Sequence, residues 1–431
     1  MIKWSWLRRS SVRVAPARHQ RRGGCLITSV VVVVLVITGV VGLELRPELA
    51  AQGIDLIRTV AGDEAAAWLE NTIFGIKDMA QHEAYQLGMV HAAAPWAADA
   101  PAAPRPVASA TPVPATPTPK GTPQPAQMHP LATVQPSPTA PPPTPTVWQP
   151  DPLTDVGTMD GAGQWSAYLT DPSGKVVAYR TFVQPDPDRP YVYAAVVAIN
   201  LRATQLHFVL GTEEPVSKAK IVRKGVIPAT DLQSDQMLAA FNGGFKARHG
   251  HFGAMIDGVT IVPPIKGFGT IALYQDGRIQ IGAWGTDITD SPGMVAWRQN
   301  GPLLIDHGTI NPHTANQTSQ DWGIILKGVT AVLRSGVGIS ADGSVLYYVA
   351  GDSLILPRLA SAFAMIHVEN AIQLDINSIY VRFDTFQTSP SGLEETPLLD
   401  AMKGQRQRYQ HPWNRDFFYL TATNRAAGGP S

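Results

Sequence analysis

Between Pro95 and Pro150 the chain holds 18 prolines in 56 residues, many of them as Thr-Pro or Ala-Pro. Proline donates no backbone hydrogen bond and pushes the residue before it into extended geometry. No helix or sheet can run through such a stretch, so whatever folds must fold on one side of it. Residues 95–150 are therefore expected to form a disordered, extended linker. At ~3 Å per residue such a segment could reach roughly 150 Å.

The N-terminal side reads as a membrane anchor. Residues 1–25 contain Lys3, Arg8, Arg9, Arg13, Arg18, Arg21 and Arg22 and no acid, a charge of +7. The whole chain balances 34 basic against 34 acidic residues, so the remainder carries −7. Only 16% of residues are charged and the net charge is zero, which argues against a nucleic-acid binder with its basic face. Residues 26–43 are apolar and uncharged over 18 positions, about the minimum that spans hydrocarbon. The run is longer than the apolar core of a usual signal peptide, and no small-x-small cleavage pattern ends it. With the basic block before it, 26–43 is expected to be an uncleaved signal anchor, 1–25 a cytoplasmic tail, and everything after it extracytoplasmic. Residues 46–92 are alanine-rich, with apolar positions three and four apart, and are predicted to form a helical, membrane-proximal stalk. The single cysteine, Cys25, excludes an intrachain disulfide and any multi-cysteine zinc site.

Residues 151–425 have the composition of a globular domain. β-rich runs at 191–200, 206–210, 237–241, 270–274, 278–281, 303–305, 345–350 and 372–375 are predicted strands. Gln275-Asp276-Gly277 and Ala341-Asp342-Gly343 are hairpin connections by their chemistry. One helix is predicted over 357–369, giving a β(345–350)–α–β(371–375) unit. The expected class is α+β: a mixed, largely antiparallel sheet with few helices.

Four places carry candidate chemistry. Asp375 ends an apolar strand, and ligands of open sheets gather beyond strand carboxyl ends. Arg334 opens the small-residue strand R-S-G-V-G-I-S, where a guanidinium can grip a phosphate or pair with a carboxylate such as Asp375. Asn242, Gly243 and Gly244 end the strand L-A-A-F, and two glycines can turn backbone N–H groups toward an anion. Lys246 and Arg248 follow, as a basic rim for an anionic substrate; His249 and His251 share a face if that segment is extended. No third ligand accompanies the histidines, so neither a metal nor another cofactor is expected. There is no H-E-x-x-H, G-x-S-x-G, P-loop or Rossmann fingerprint.

Taken in order, seven segments resemble the phosphodiester glycosidase family: N-G-G-F at 242–245, A-M-I-D-G at 254–258, G-P-L-L-I-D-H-G at 301–308, R-S-G-V-G-I at 334–339, A-D-G-S-V-L-Y at 341–347, P-R-L-A-S-A-F at 357–363 and Q-L-D-I-N-S at 373–378. The family pattern ends in D-G-G-x-S; here Ile376 and Asn377 replace both glycines, and Ser378 falls one position early. Lys246 replaces the second aromatic of the family's N-G-G-F-F. The resemblance implies a hydrolase of sugar-1-phosphodiester linkages; together with the expected anchor, its substrates would be envelope glycans or glycoconjugates. Asp375 and Arg334 would be catalytic, and Asn242, Gly243, Gly244, Lys246, Arg248 and Ser378 would hold the glycan or sugar-phosphate. A second carboxylate would come from Asp257, Asp306 or Asp352. The altered D-I-N-S motif motivates the alternative: a domain that binds anionic envelope polysaccharide without cleaving it.

Overall fold

The computed structural model describes residues 53, 54, 56, 57, 60–96 and 148–423, apart from 316–321, 323–329, 377–378, 391 and 403–406. The basic tail, the apolar run at 26–43 and most of the proline-rich segment lie outside the described residues. Among the described residues no helix is long and apolar enough to cross a membrane. The chain divides into two compact units, residues 1–81 and 82–431. Helix α1 (Asp63–Gln86) supplies the described secondary structure of the first unit and continues into the second. It contains no proline and a run of alanines, the best helix former, and it ends just before Gly88, whose φ of +69° suits a helix C-terminus.

The second unit is built from three antiparallel sheets. The eight-stranded sheet has the order β1 (Ser166–Thr170), β2 (Val176–Val183), β3 (Ala194–Asn200), β14 (Val345–Leu354), β13 (Val332–Ile339), β15 (Asn370–Ile376), β11 (Leu303–Asp306) and β12 (Thr309–Ile310). A five-stranded sheet contains β17 (Gly392–Pro397), β16 (Phe383–Ser389), β5 (Met237–Asn242), β18 (Phe417–Ala422) and β4 (Thr204–Val209). The other has β7 (Val259–Val262), β6 (Ala254–Ile256), β10 (Met294–Gln299), β8 (Gly269–Tyr274) and β9 (Ile279–Ala283). All eight strands read from the sequence are present.

Turn chemistry explains the local pairing. Asp257-Gly258 joins β6 to β7 and His307-Gly308 joins β11 to β12, with φ of +52°/+75° and +46°/+74°. Two positive φ values are what a two-residue type I′ hairpin requires. The predicted turns at Asp276-Gly277 and Asp342-Gly343 likewise join β8 to β9 and β13 to β14. The helix α3 (Leu356–Met365; α2 is the single turn Ala229–Leu232) does follow β14 and precede β15. The two strands are not neighbours, however. β13 lies between them and is antiparallel to both, so the expected βαβ unit is split by an inserted strand. Every ladder between named strands is antiparallel, so the expected mixed sheet is not found among the described residues.

The large sheet is covered on both sides. In β3, Ala195, Val197 and Ile199 enter the core shared with the five-stranded sheets, while Ala194 and Val196 enter the core beneath α3. That is why β3 is apolar throughout and does not alternate. In β13 the face toward α3 carries Gly336 and Gly338. A Cβ on Gly336 would lie 2.6 Å from the Ile372 carbonyl oxygen and 2.8 Å from the Phe363 ring. The glycines thus let α3 lie directly on the strand. Gly336→Ala should destabilise the domain by about 1–3 kcal/mol through overpacking, read as a lower urea midpoint with an unchanged m-value.

Candidate active site

The segment after β5 packs closely against a pair of charged residues. The Gly243 N–H donates to the Asp416 carbonyl at 3.0 Å, and the Gly244 N–H to Asp416 Oδ2 at 3.2 Å. The Phe245 N–H donates to Asn300 Oδ1 at 2.8 Å. A Cβ on Gly243 would fall 2.5 Å from Asp416 Oδ2, and one on Gly244 would fall 2.9 Å from the Arg298 guanidinium. The glycines are there because no side chain fits between this backbone and the Arg298–Asp416 ion pair, which is 2.8 Å long and fully buried. The sequence reading took their N–H groups as an anion cradle. In the structure these donors are already engaged by Asp416.

Asn242 is a buried hub. Its Nδ2 donates to Ser335 Oγ at 3.0 Å and to the Gly243 carbonyl at 3.2 Å. Its Oδ1 accepts from the Tyr348 hydroxyl at 3.0 Å and the Arg382 N–H at 3.1 Å. These bonds tie β5 to β13, β14 and the chain entering β16, which positions the site and gives both polar atoms of the Asn242 amide protein partners.

Asp375 is brought in by a bulge. Arg334 pairs with Ile376 and Gly336 with Gln373, so β15 advances three residues while β13 advances two. The extra residue lets Asp375 leave the strand on the side of Ser335, whose Oγ donates to the Asp375 carbonyl at 2.9 Å. The Asp375 N–H donates to the Gly243 carbonyl at 3.0 Å. Asp375 Oδ2 accepts from Arg415 Nη2, which also donates to the Gly244 carbonyl at 2.9 Å. Asp375 Oδ1 accepts the Ile376 N–H at 2.9 Å. Burial pushes this carboxyl up to about 6, against the pull of Arg415, the Ile376 N–H and Lys246, and with a push from Asp416. Burial works against the Arg415 charge too, but the adjacent Asp375 overrides it and holds the guanidinium above its ordinary range.

The cations converge on one aromatic. The Arg415 guanidinium lies 4.5 Å from the Tyr380 ring centroid and Lys246 Nζ lies 5.2 Å from it. Lys246 therefore sits beside Asp375, as a basic rim would. Arg248 does not: it is exposed, with Nε 3.3 Å from His249 Nε2. The segment is not extended either. Ala247–His249 form a 3-10 turn and His251 has φ +53°, so the two histidines do not share a strand face.

Arg334 lies on the opposite face of the sheet. Its Nε donates to the Leu354 carbonyl at 2.8 Å and its Nη2 to the Thr330 carbonyl at 3.1 Å, with no bond to Asp375 among the described residues. Burial alone lowers it to about 9. Its Nη1 is buried and has no hydrogen-bond partner. Ser378 and Asn377 lie outside the described residues. Of the suggested second carboxylates, Asp257 and Asp306 are exposed in hairpin turns. The carboxylate that interacts with Asp375 is Asp416. Among the described residues the one group of three ligand-type side chains close enough to share an ion is Asp287, Asp306 and His307, which does not include Asp375.

Sequence reasoning missed Arg415, Asp416, Arg298 and Tyr380. One signal was present: the charged pair R-D in N-R-D-F-F sits directly before the apolar strand β18, where charge has no local reason to be.

The family described as phosphodiester glycosidase matches residues 235–375, as the motif order implied. No curated protein sequence matches the chain. Among solved structures, it is similar to the catalytic domain of zebrafish N-acetylglucosamine-1-phosphodiester α-N-acetylglucosaminidase at 17% identity and TM-score 0.38, covering 61% of this chain and 88% of that one. It is also similar to a hypothetical protein from Synechocystis, at 13% identity and TM-score 0.29, covering 60% of this chain and 62% of that one. A Burkholderia pseudomallei protein described as exported shows 10% identity and TM-score 0.33, covering 53% and 74%.

The raised Asp375 carboxyl predicts a pH dependence of stability. The folded state holds this proton up to about pH 6, the unfolded chain only to about 3.8, the ordinary value for an aspartate. Stability from this group is therefore greatest below that lower value, falls as pH rises between the two, and is at its minimum above about 6. Urea unfolding at pH 4 and pH 7 should show the difference between wild type and Asp375→Asn changing by on the order of 3 kcal/mol, with wild type losing more on going to pH 7.

Proposed function

We propose that this domain, with its phosphodiester glycosidase core at residues 235–375, hydrolyses sugar-1-phosphodiester linkages. The observation that carries the reading is Asp375: a buried carboxyl raised to about 6, at the end of a strand, beside two cations. A carboxyl that titrates near neutral pH can give or take a proton during the reaction, which one with an ordinary pKa does less effectively. Below about 6 it is an acid able to protonate a leaving oxygen. Above it, the carboxylate can activate water or stabilise an oxocarbenium-like centre. Lys246 and Arg415 supply positive charge where the phosphate would lie, and Arg415 also fixes the carboxylate's direction. Arg334, fully buried on the opposite face of the sheet and bonded to the Leu354 and Thr330 carbonyls, takes no part in this reading.

The alternative, binding of an anionic polysaccharide without cleavage, is motivated by Ile376 and Asn377 in place of the two family glycines; Asn377 lies outside the described residues. Ile376 is a strand residue outside the left-handed region, and it supplies its backbone N–H to Asp375. An isoleucine can do that as well as a glycine, so hydrolysis remains the better reading. The basic block at 1–25 and the apolar run at 26–43 support anchoring in a membrane, with the domain on the extracytoplasmic side and envelope glycans or glycoconjugates as substrates.

The test is free-sugar release from a panel of sugar-1-phosphodiesters, including UDP-N-acetylglucosamine, by the full-length chain. Wild type should turn over at least one member, with a limb near pH 6 in log kcat/KM. Asp375→Asn should lower kcat/KM by about 10²–10⁴ and remove that limb. Saturable binding across the panel with no release would decide for the alternative.

A further inference from the structure

The proline-rich segment was expected to be a spacer, joining a stalk to a separate domain. The described residues at its two ends point elsewhere. Trp96, at its start, is seated on the domain. Its indole Nε1–H donates to the Leu398 carbonyl at 3.1 Å. The Arg180 guanidinium lies 4.4 Å from the Trp96 ring centroid and 4.8 Å from that of Tyr168, so it is stacked against both rings. The Phe182 ring meets Trp96 edge-on at 6.3 Å. Trp148, near the end of the segment, meets the Tyr179 ring edge-on at 5.6 Å.

Tyr179, Arg180 and Phe182 all belong to β2. The chain therefore leaves the domain and returns to it within four residues of one strand, on the order of 10 Å along the strand though on its two faces. A free flexible segment of ~50 residues would average about 40 Å from end to end. Further upstream, Tyr85 lies against Tyr191 with ring centroids 4.9 Å apart, and residues from 82 onward belong to the same compact unit as the sheets.

We infer that residues 82–96 are a clasp belonging to the folded domain, with Trp96 as its bolt, and that the two ends of the proline-rich segment are held on the same domain. The surface that receives the clasp is formed by Tyr168 of the edge strand β1, Arg180 and Phe182 of β2 and the Leu398 carbonyl, and its occupant is this chain's own N-terminal side. An indole suits it because it offers one donor to a carbonyl and a broad π face to a guanidinium at once. In consequence, the proline-rich segment adds nothing to the length of chain between whatever precedes His82 and the domain. An anchor at the N-terminus would hold the domain through residues 44–81 alone.

The experiment is to insert one protease site within residues 110–130 of the full-length chain, cleave it in detergent, and follow release of the N-terminal fragment by pull-down. The cleaved wild type should stay together. Trp96→Ala should release the fragment at least ten-fold faster. Trp96→Phe keeps a ring over Arg180 but loses the indole bond, and should fall between the two. It also covers the case in which the alanine variant fails to fold. Prompt separation of the cleaved wild type would overturn the inference. Equal retention in wild type and both variants would overturn Trp96 as the bolt. The readout is independent of catalysis, so sugar-release assays that fail would leave it standing.

Discussion

The structure around the candidate site depends on two buried ion pairs closing over one stretch of backbone. Arg298 holds Asp416 and Arg415 holds Asp375, while the Gly243-Gly244 peptide groups are bonded to members of both pairs. Two charges taken from water into a protein interior are costly unless each is paired and its remaining hydrogen-bonding capacity is met. Here backbone supplies most of that capacity. Arg298 alone donates to the carbonyls of Phe245, Phe252 and Gln299 as well as to Asp416. A side chain on either glycine would open the packing and leave these charges without partners.

The same arrangement accounts for the carboxyl's chemistry. Asp375 has a strong cationic partner, yet its proton affinity is raised, because burial outweighs the attraction of Arg415 and Asp416 adds a second negative charge nearby. Were Arg415 absent, nothing comparable would oppose that burial. The pair thus keeps the group titrating near neutrality and fixes its direction. The β15 bulge is what makes the pair possible, since a regular strand would send successive side chains to opposite faces. The nearest cation in the strand order, Arg334, stands opposite Ile376 and faces α3, whereas Arg415 arrives from the neighbouring sheet just before β18.

Much of the local structure was legible in the residues. Strands showed as apolar β-branched runs, and the D-G pairs at 276–277 and 342–343 marked hairpins because glycine takes the positive φ that closes each turn. α3 showed as a helical apolar pattern opening at a proline. Asp375 was legible as a carboxylate ending an apolar strand. What was not legible was partnership. Arg415 is 40 residues from Asp375 and 171 from Gly244, a separation over which no periodicity carries information. The N-G-G motif was recognisable, but its reason was not: it looked like a donor for a ligand and proved to be a seat for Asp416. The insertion of β13 between β14 and β15 was equally hidden, because pairing order is settled by burial across sheets.

The sequence by itself determined which segments are extended, where they turn, and which carboxylate ends the key strand. These follow from dihedral limits, side-chain shape and short-range hydrogen bonding, which act within a few residues. Only the tertiary structure decided which cation meets that carboxylate, which face Arg334 takes, and that Trp96 and Trp148 return to a single strand. Those outcomes depend on which buried charges and rings can be satisfied together, and that is a property of the packed whole.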